Sequence, residues 1–163
     1  MRGRPAAAIL LALWAAASAA QTDGETSREA EIPTPPYPAS ENLIEFYVGP
    51  TATARFRIDA TSLSIGNDGV MRFVLVVEAP GGAINVSFEG LRCASRERRV
   101  YAFGRNDRSW HPVKELRWVP VRSVRGNSPY ASLMRNYLCP DGVPVRDVAE
   151  AKRNLLGRRP ATL

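Results

Sequence analysis

Cys93 and Cys139 are the residues of this chain best suited to covalent chemistry, and what they do depends on where the chain ends up. In a reducing cytosol they are ordinary thiols. In an oxidising compartment a lone cysteine pair in a small domain reads as one structural disulfide. The loop it closes spans 139 minus 93, or 46 positions. The chain-entropy relation gives about 4 kcal/mol for a loop of that size, a large share of the roughly 5–15 kcal/mol that stabilises a typical domain. A redox pair or a metal site is the competing reading. It lacks a Cys-x-x-Cys, and His111 is the only histidine, which leaves too few soft ligands for zinc. No metal or cofactor is expected.

Acid–base chemistry finds no obvious set of groups. His111 sits in Ser109-Trp110-His111-Pro112, which reads as loop. Asp59, Glu89, Glu97 and Asp107 are candidate carboxylates, but none forms a recognisable spaced pair. Gly66-Asn67-Asp68-Gly69 and Pro80-Gly81-Gly82 lack the lysine and following helix of a phosphate-cradling loop. No catalytic residue is assigned. An enzyme with an unrecognised site, acting on envelope material, stays open as the alternative to a non-enzymatic binding or structural module.

The stretch from Gly90 to Arg105 interleaves arginines with aromatics and continues to Trp110 and Trp118. Guanidinium groups pair with carboxylates and phosphates and stack on aromatic rings. Arg96, Arg98, Arg99, Arg105 and Arg108 are therefore the candidate residues for an anionic partner, either an acidic envelope protein or an anionic envelope polymer. The competing reading is structural, with alternate residues of a strand sending arginines out and rings in. Nucleic acid is not an expected partner outside the cytosol.

The envelope enters through the first twenty residues. Arg2 and Arg4 precede an uncharged apolar run over 6–16, then small residues at Ala17, Ser18, Ala19 and Ala20. That order is a secretory signal, and the run is too short for a span of about 20 helical residues. The expectation is a removed leader over 1–20, an exported product and no membrane span thereafter. The chain's +6 less two leader arginines leaves +4. The charge is uneven, being net −6 over 20–91, +7 over 92–125 and +3 beyond. Neighbouring antiparallel strands would let the acidic and basic parts screen each other; a basic binding face is the sharper alternative.

Residues 21–40 hold Pro33, Pro35, Pro36 and Pro38 and read as a flexible or semi-extended tether. The folded domain is expected over 41–157, with 158–163 as a frayed tail. Ala54 to Asp59 alternates with period two, and 70–79 is a nearly continuous β-branched and aromatic run, the mark of a central strand. Ile84 to Cys93 alternates, with Val86 and Phe88 opposite Ser87 and Glu89. Gly66-Asn67-Asp68-Gly69 predicts a hairpin turn. Tyr130, Leu133, Met134, Tyr137 and Leu138 make one helical stripe behind Ser128-Pro129, an N-cap and first-turn proline. A weaker helix is expected over 145–156. The fold class is therefore α+β: an antiparallel meander of about five strands with a C-terminal helix packed on it.

Leu43-Ile44-Glu45-Phe46, Phe56-Arg57-Ile58-Asp59, Glu89-Gly90-Leu91-Arg92-Cys93, Tyr101-Ala102-Phe103-Gly104-Arg105 and Tyr137-Leu138-Cys139-Pro140 occur in that order. This series resembles the CNP-one-like family of exported or lipid-anchored proteins of Gram-negative bacteria. The resemblance implies an envelope location, here the periplasm, and supplies no activity. The chain lacks the lipidated cysteine of the lipoprotein members, so lipid anchoring is not expected.

Overall fold

The apolar run at the middle of the chain builds the spine of an antiparallel sheet. The structure, a computed structural model, describes residues 32–122 and 128–157; the expected leader and frayed tail lie outside the described residues. Strand β4 (Val70–Glu78) pairs along its whole length with β5 (Ile84–Arg92). On its other edge β4 carries two strands end to end, β2 (Arg55–Asp59) and β3 (Ser64–Ile65). Strand β1 (Leu43–Glu45) flanks β2. On the far side β6 (Glu97–Gly104) pairs with β5, and its outer edge is shared by β7 (Trp110–Pro112) and β8 (Val119–Pro120).

The sheet thus has eight strands in the order β1-β2-β4-β5-β6-β7, with β3 and β8 set beside β4 and β6. The expected count was about five. The surplus is short: β7 and β8 are three and two residues long and end in prolines, a residue tolerated only at a sheet edge. Pieces that short carry no periodicity for a sequence to reveal. The Gly66–Gly69 turn closes as expected, with the Gly69 amide donating to the Gly66 carbonyl and Gly69 at φ 71°.

The C-terminal helices cover one face of the sheet. Ser128 caps α1 (Pro129–Ser132), its hydroxyl accepting from the Ala131 amide. The helix then widens into a π-turn over Leu133–Leu138, where the Cys139 amide reaches the Met134 carbonyl five residues back. Leu133, Met134, Tyr137 and Leu138 are buried, as their spacing requires. Cys139 leaves this wide turn to meet Cys93 just past the end of β5, and the two are disulfide-bonded with Cα atoms 5.4 Å apart. Helix α2 (Val148–Gly157) starts three residues later than expected, because Asp147 is its cap, accepting from the Glu150 amide at 2.7 Å.

Between helices and sheet lies the main core, including Ile58, Met71, Phe73, Leu75, Leu91, Leu133, Leu138 and Leu155. Val70, Val74, Val76, Val86, Phe88, Tyr101 and Ala102 are buried outside that cluster. They form a smaller apolar layer on the opposite face. Residues 33–39, the later part of the stretch read as a tether, lie extended against this second face: the Trp110 indole donates to the Pro35 carbonyl and the Tyr37 hydroxyl to the Arg105 carbonyl. Among the described residues no helix is long and apolar enough to cross a membrane.

Candidate functional site

Strand alternation places Ser87, Glu89 and Leu91 on one face of β5 and Val86, Phe88 and Gly90 on the other. Alternation sets Ser87 and Glu89 opposite Val86 and Phe88, as expected, and leaves open what covers them. Ser87 and Glu89 point toward the helical layer, and both faces of β5 are covered. Glu89 is 2% exposed. The Ser87 hydroxyl donates to its Oε1 at 2.5 Å, and the Tyr130 hydroxyl donates to the same oxygen at 3.2 Å. Arg98 approaches the other oxygen to 3.8 Å, too far for a hydrogen bond. Oε2 is buried without a hydrogen-bond partner among the described residues.

Each partner has a local reason to be there. Arg98 lies on β6 opposite Leu91, hence on the same face as Glu89. Tyr130 follows the Ser128 cap in the first turn of α1, and the Arg98 guanidinium lies 4.3 Å from its ring centroid. Burial pushes the Glu89 carboxyl above its ordinary range, while the Ser87 hydroxyl, the Arg98 charge and the Tyr130 hydroxyl oppose the rise. Burial, and then the neighbouring Glu89 charge, raise the Tyr130 phenol. The set can hold a proton on Glu89 and present two hydroxyls to it. A Ser-x-Glu pair on a strand is the one sequence signal for it, since i and i+2 share a face.

A bulge between β5 and β6 decides the other face. Phe88 pairs with Ala102 and Glu89 with Val100, so Tyr101 is the extra residue. Its ring packs on Phe88 with centroids 5.2 Å apart. Arg72, held by Asp68, stands 5.8 Å from the centre of the Tyr101 ring. Gly90 lies beneath that ring, where a Cβ would come within 2.9 Å of it. Trp118 is held between Arg92 and Arg99, at 4.0 and 4.5 Å from its ring centroid.

The five arginines singled out from the sequence do not gather. Arg98 belongs to the Glu89 cluster, and Arg99, next along β6, faces the opposite way onto Trp118. Arg96 lies in the turn before β6 and Arg105 and Arg108 in the turn after it, some 26 Å apart at the usual strand rise. Arg96 and Arg108 adopt left-handed backbone, with φ 54° and 65°. Among the described residues no carboxylate lies within ion-pair distance of Arg96, Arg105 or Arg108, although, after the Ser109 hydrogen bonds, the Arg105 charge helps to lower the Asp107 carboxyl in the same turn. Arg105 contacts His111 Nδ1 at 2.7 Å, and the Arg108 guanidinium stands 5.7 Å from the Tyr37 ring centre.

The order of these pieces along the chain, from the strands to Tyr137-Leu138-Cys139-Pro140, is matched by a family model over residues 22–156. The chain belongs to the CNP1-like family. No curated protein and no solved structure matches it. In this CNP1-like chain the match takes in the whole sheet, α1, all but the last residue of α2 and both cysteines, so the Glu89 cluster and the aromatic second face lie inside the family's extent.

Proposed function

We propose that this CNP1-like protein is an exported periplasmic module that binds an anionic envelope component and carries out no chemistry on it. The observation that carries this reading is the end of the sheet at the turn between β6 and β7. Arg105, Arg108 and His111 are all exposed there beside Phe103, which is 50% exposed. Two exposed guanidinium groups with no carboxylate within ion-pair distance among the described residues, next to an apolar ring, suit an acidic protein segment or an anionic polymer. The export leader read from residues 1–20 and the Cys93–Cys139 bond support an oxidising location.

Binding of the full mature chain to immobilised polyglutamate and to a purified anionic cell-wall polymer, measured across a salt series, tests this. Arg105→Glu with Arg108→Glu should weaken binding at least ten-fold and flatten its salt dependence. Unchanged binding by that double variant rejects the basic-end reading.

One observation favours the alternative, an enzyme acting on envelope material: the Ser87 hydroxyl on a buried carboxyl, with the Tyr130 hydroxyl alongside. Such a site would release soluble fragments from that polymer, and Glu89→Gln would abolish the release while leaving the fold intact.

A further inference from the structure

The second face of the sheet holds a proline-rich segment in a manner that is not required for building the sheet. Pro33, Pro35, Pro36 and Pro38 each have φ locked. Ile32, Thr34, Pro35 and Tyr37 each precede a proline and are thereby kept out of helical conformation. Four of the seven positions from 32 to 38 are thus kept out of helical backbone and the other three have φ fixed at a polyproline value, so the segment is biased to extension before any tertiary contact forms. Two overlapping Pro-x-x-Pro spacings result, 33 with 36 and 35 with 38. Four of the six residues over 33–38 have no N–H to give a sheet.

What receives this segment is a row of rings with one donor. The Trp110 indole donates to the Pro35 carbonyl at 2.8 Å. Its ring meets both Tyr37, with centroids 5.4 Å apart, and Phe88, at 6.4 Å. Phe88 stacks in turn on the bulged Tyr101. Gly104 leaves the space for the Tyr37 ring, since a Cβ there would come within 2.9 Å of it. The Tyr37 hydroxyl donates to the Arg105 carbonyl at 3.1 Å. Aromatic rings that offer an indole N–H to a carbonyl of a polyproline chain are the general means by which Pro-x-x-Pro segments are recognised.

We infer that the groove formed by Trp110, Phe88 and Gly104 is a recognition site for a proline-rich extended peptide carrying a tyrosine, and that residues 33–38 occupy it as a displaceable ligand within the chain. The partner is a proline-rich segment of another protein. The resident segment sets its apparent affinity, because a site open for only part of the time binds correspondingly more weakly. Recognition here rests on rings and backbone carbonyls, so it goes beyond the charge-based reading above. The two differ in salt response and are tested separately.

The test uses the full mature chain and a fluorescein-labelled peptide spanning residues 31–40, with a scrambled peptide as control. Tyr37→Ala, which releases the resident segment, should bind the peptide at least ten-fold more tightly than wild type, with little change between low and high salt. Adding Trp110→Phe, which keeps a ring and removes the indole donor, should reverse the gain at least ten-fold. No gain in Tyr37→Ala, or full binding without the indole, overturns the inference. A second readout holds even when Tyr37→Ala misfolds: the same peptide carrying a nitroxide spin label should, at saturation, broaden the Trp110 indole N–H resonance of the wild-type chain, and an unbroadened resonance overturns the inference. Sedimentation of wild type completes it. A mass that doubles with concentration and is halved by the peptide would give the groove to a second copy of this chain and overturn the assignment to a different partner.

Discussion

The Tyr130 hydroxyl stands 3.2 Å from Glu89 Oε1, so the first turn of α1 is hydrogen-bonded to the middle of β5. The bond ties a helix end to a strand through a carboxyl that burial has pushed toward its protonated form. Replacing Tyr130 with Phe removes one of two hydroxyl donors to a buried oxygen. The expected cost is about 1–2 kcal/mol, measured by urea unfolding.

The raised Glu89 carboxyl fixes the sign of a pH effect. Its folded form holds the proton to higher pH than the unfolded chain does, whose reference value is 4.5. Glu89's contribution to stability is therefore full below that value and is lost as pH climbs through the folded one. Glu89→Gln should remove this decline, so its stability relative to wild type should rise with pH. Unfolding midpoints compared at steps from pH 4 to pH 8 check it. Parallel curves would show that Glu89 titrates as it does in the unfolded chain.

The Cys93–Cys139 bond closes a loop of 46 residues. Replacing both cysteines with serine should cost about 4 kcal/mol by the chain-entropy relation. Wild-type protein in reductant should lose a similar amount, and the serine variant should not respond to reductant. Denaturant midpoints for the four combinations provide the measurement.

Arg96 has φ 54° and is exposed. A left-handed non-glycine residue costs about 1–2 kcal/mol, and glycine adds roughly 0.5–1 kcal/mol of unfolded-state entropy. The first term is the larger, so Arg96→Gly should raise stability by about 0.5–1 kcal/mol. A lowered thermal midpoint would mean that the guanidinium does structural work outside its own turn.

Trp118 lies between Arg92 and Arg99 and tethers the chain leading into β8 to the second face of the sheet. Two ring–guanidinium contacts at roughly 0.5–1 kcal/mol each, with the ring's partial burial, put the expected cost of Trp118→Ala at about 2–3 kcal/mol. Amide exchange should quicken at Val121, whose N–H bonds to the Arg96 carbonyl, before it quickens in β4.

The sequence by itself determined the features that local physics specifies. The β-branched run of β4, the glycine turn that precedes it, the Ser128 cap and the stripe from Tyr130 to Leu138 all depend on neighbours within a few positions, and all are present. The disulfide partners were legible because there were only two cysteines to pair. Tertiary structure decided what depends on distant contacts. The single extra residue at Tyr101 turns that ring to the second face, since side chains in a strand alternate and one inserted position shifts those beyond it. The burial of Glu89 could not be read from its own strand, because nothing there announces that α1 will cover it. Arg98 and Arg99 looked like one basic patch because adjacency in sequence is opposition in a strand. The prolines before β1 dictated extension, but whether an extended segment stays free or lies on a sheet depends on rings at Phe88 and Trp110, more than fifty residues away.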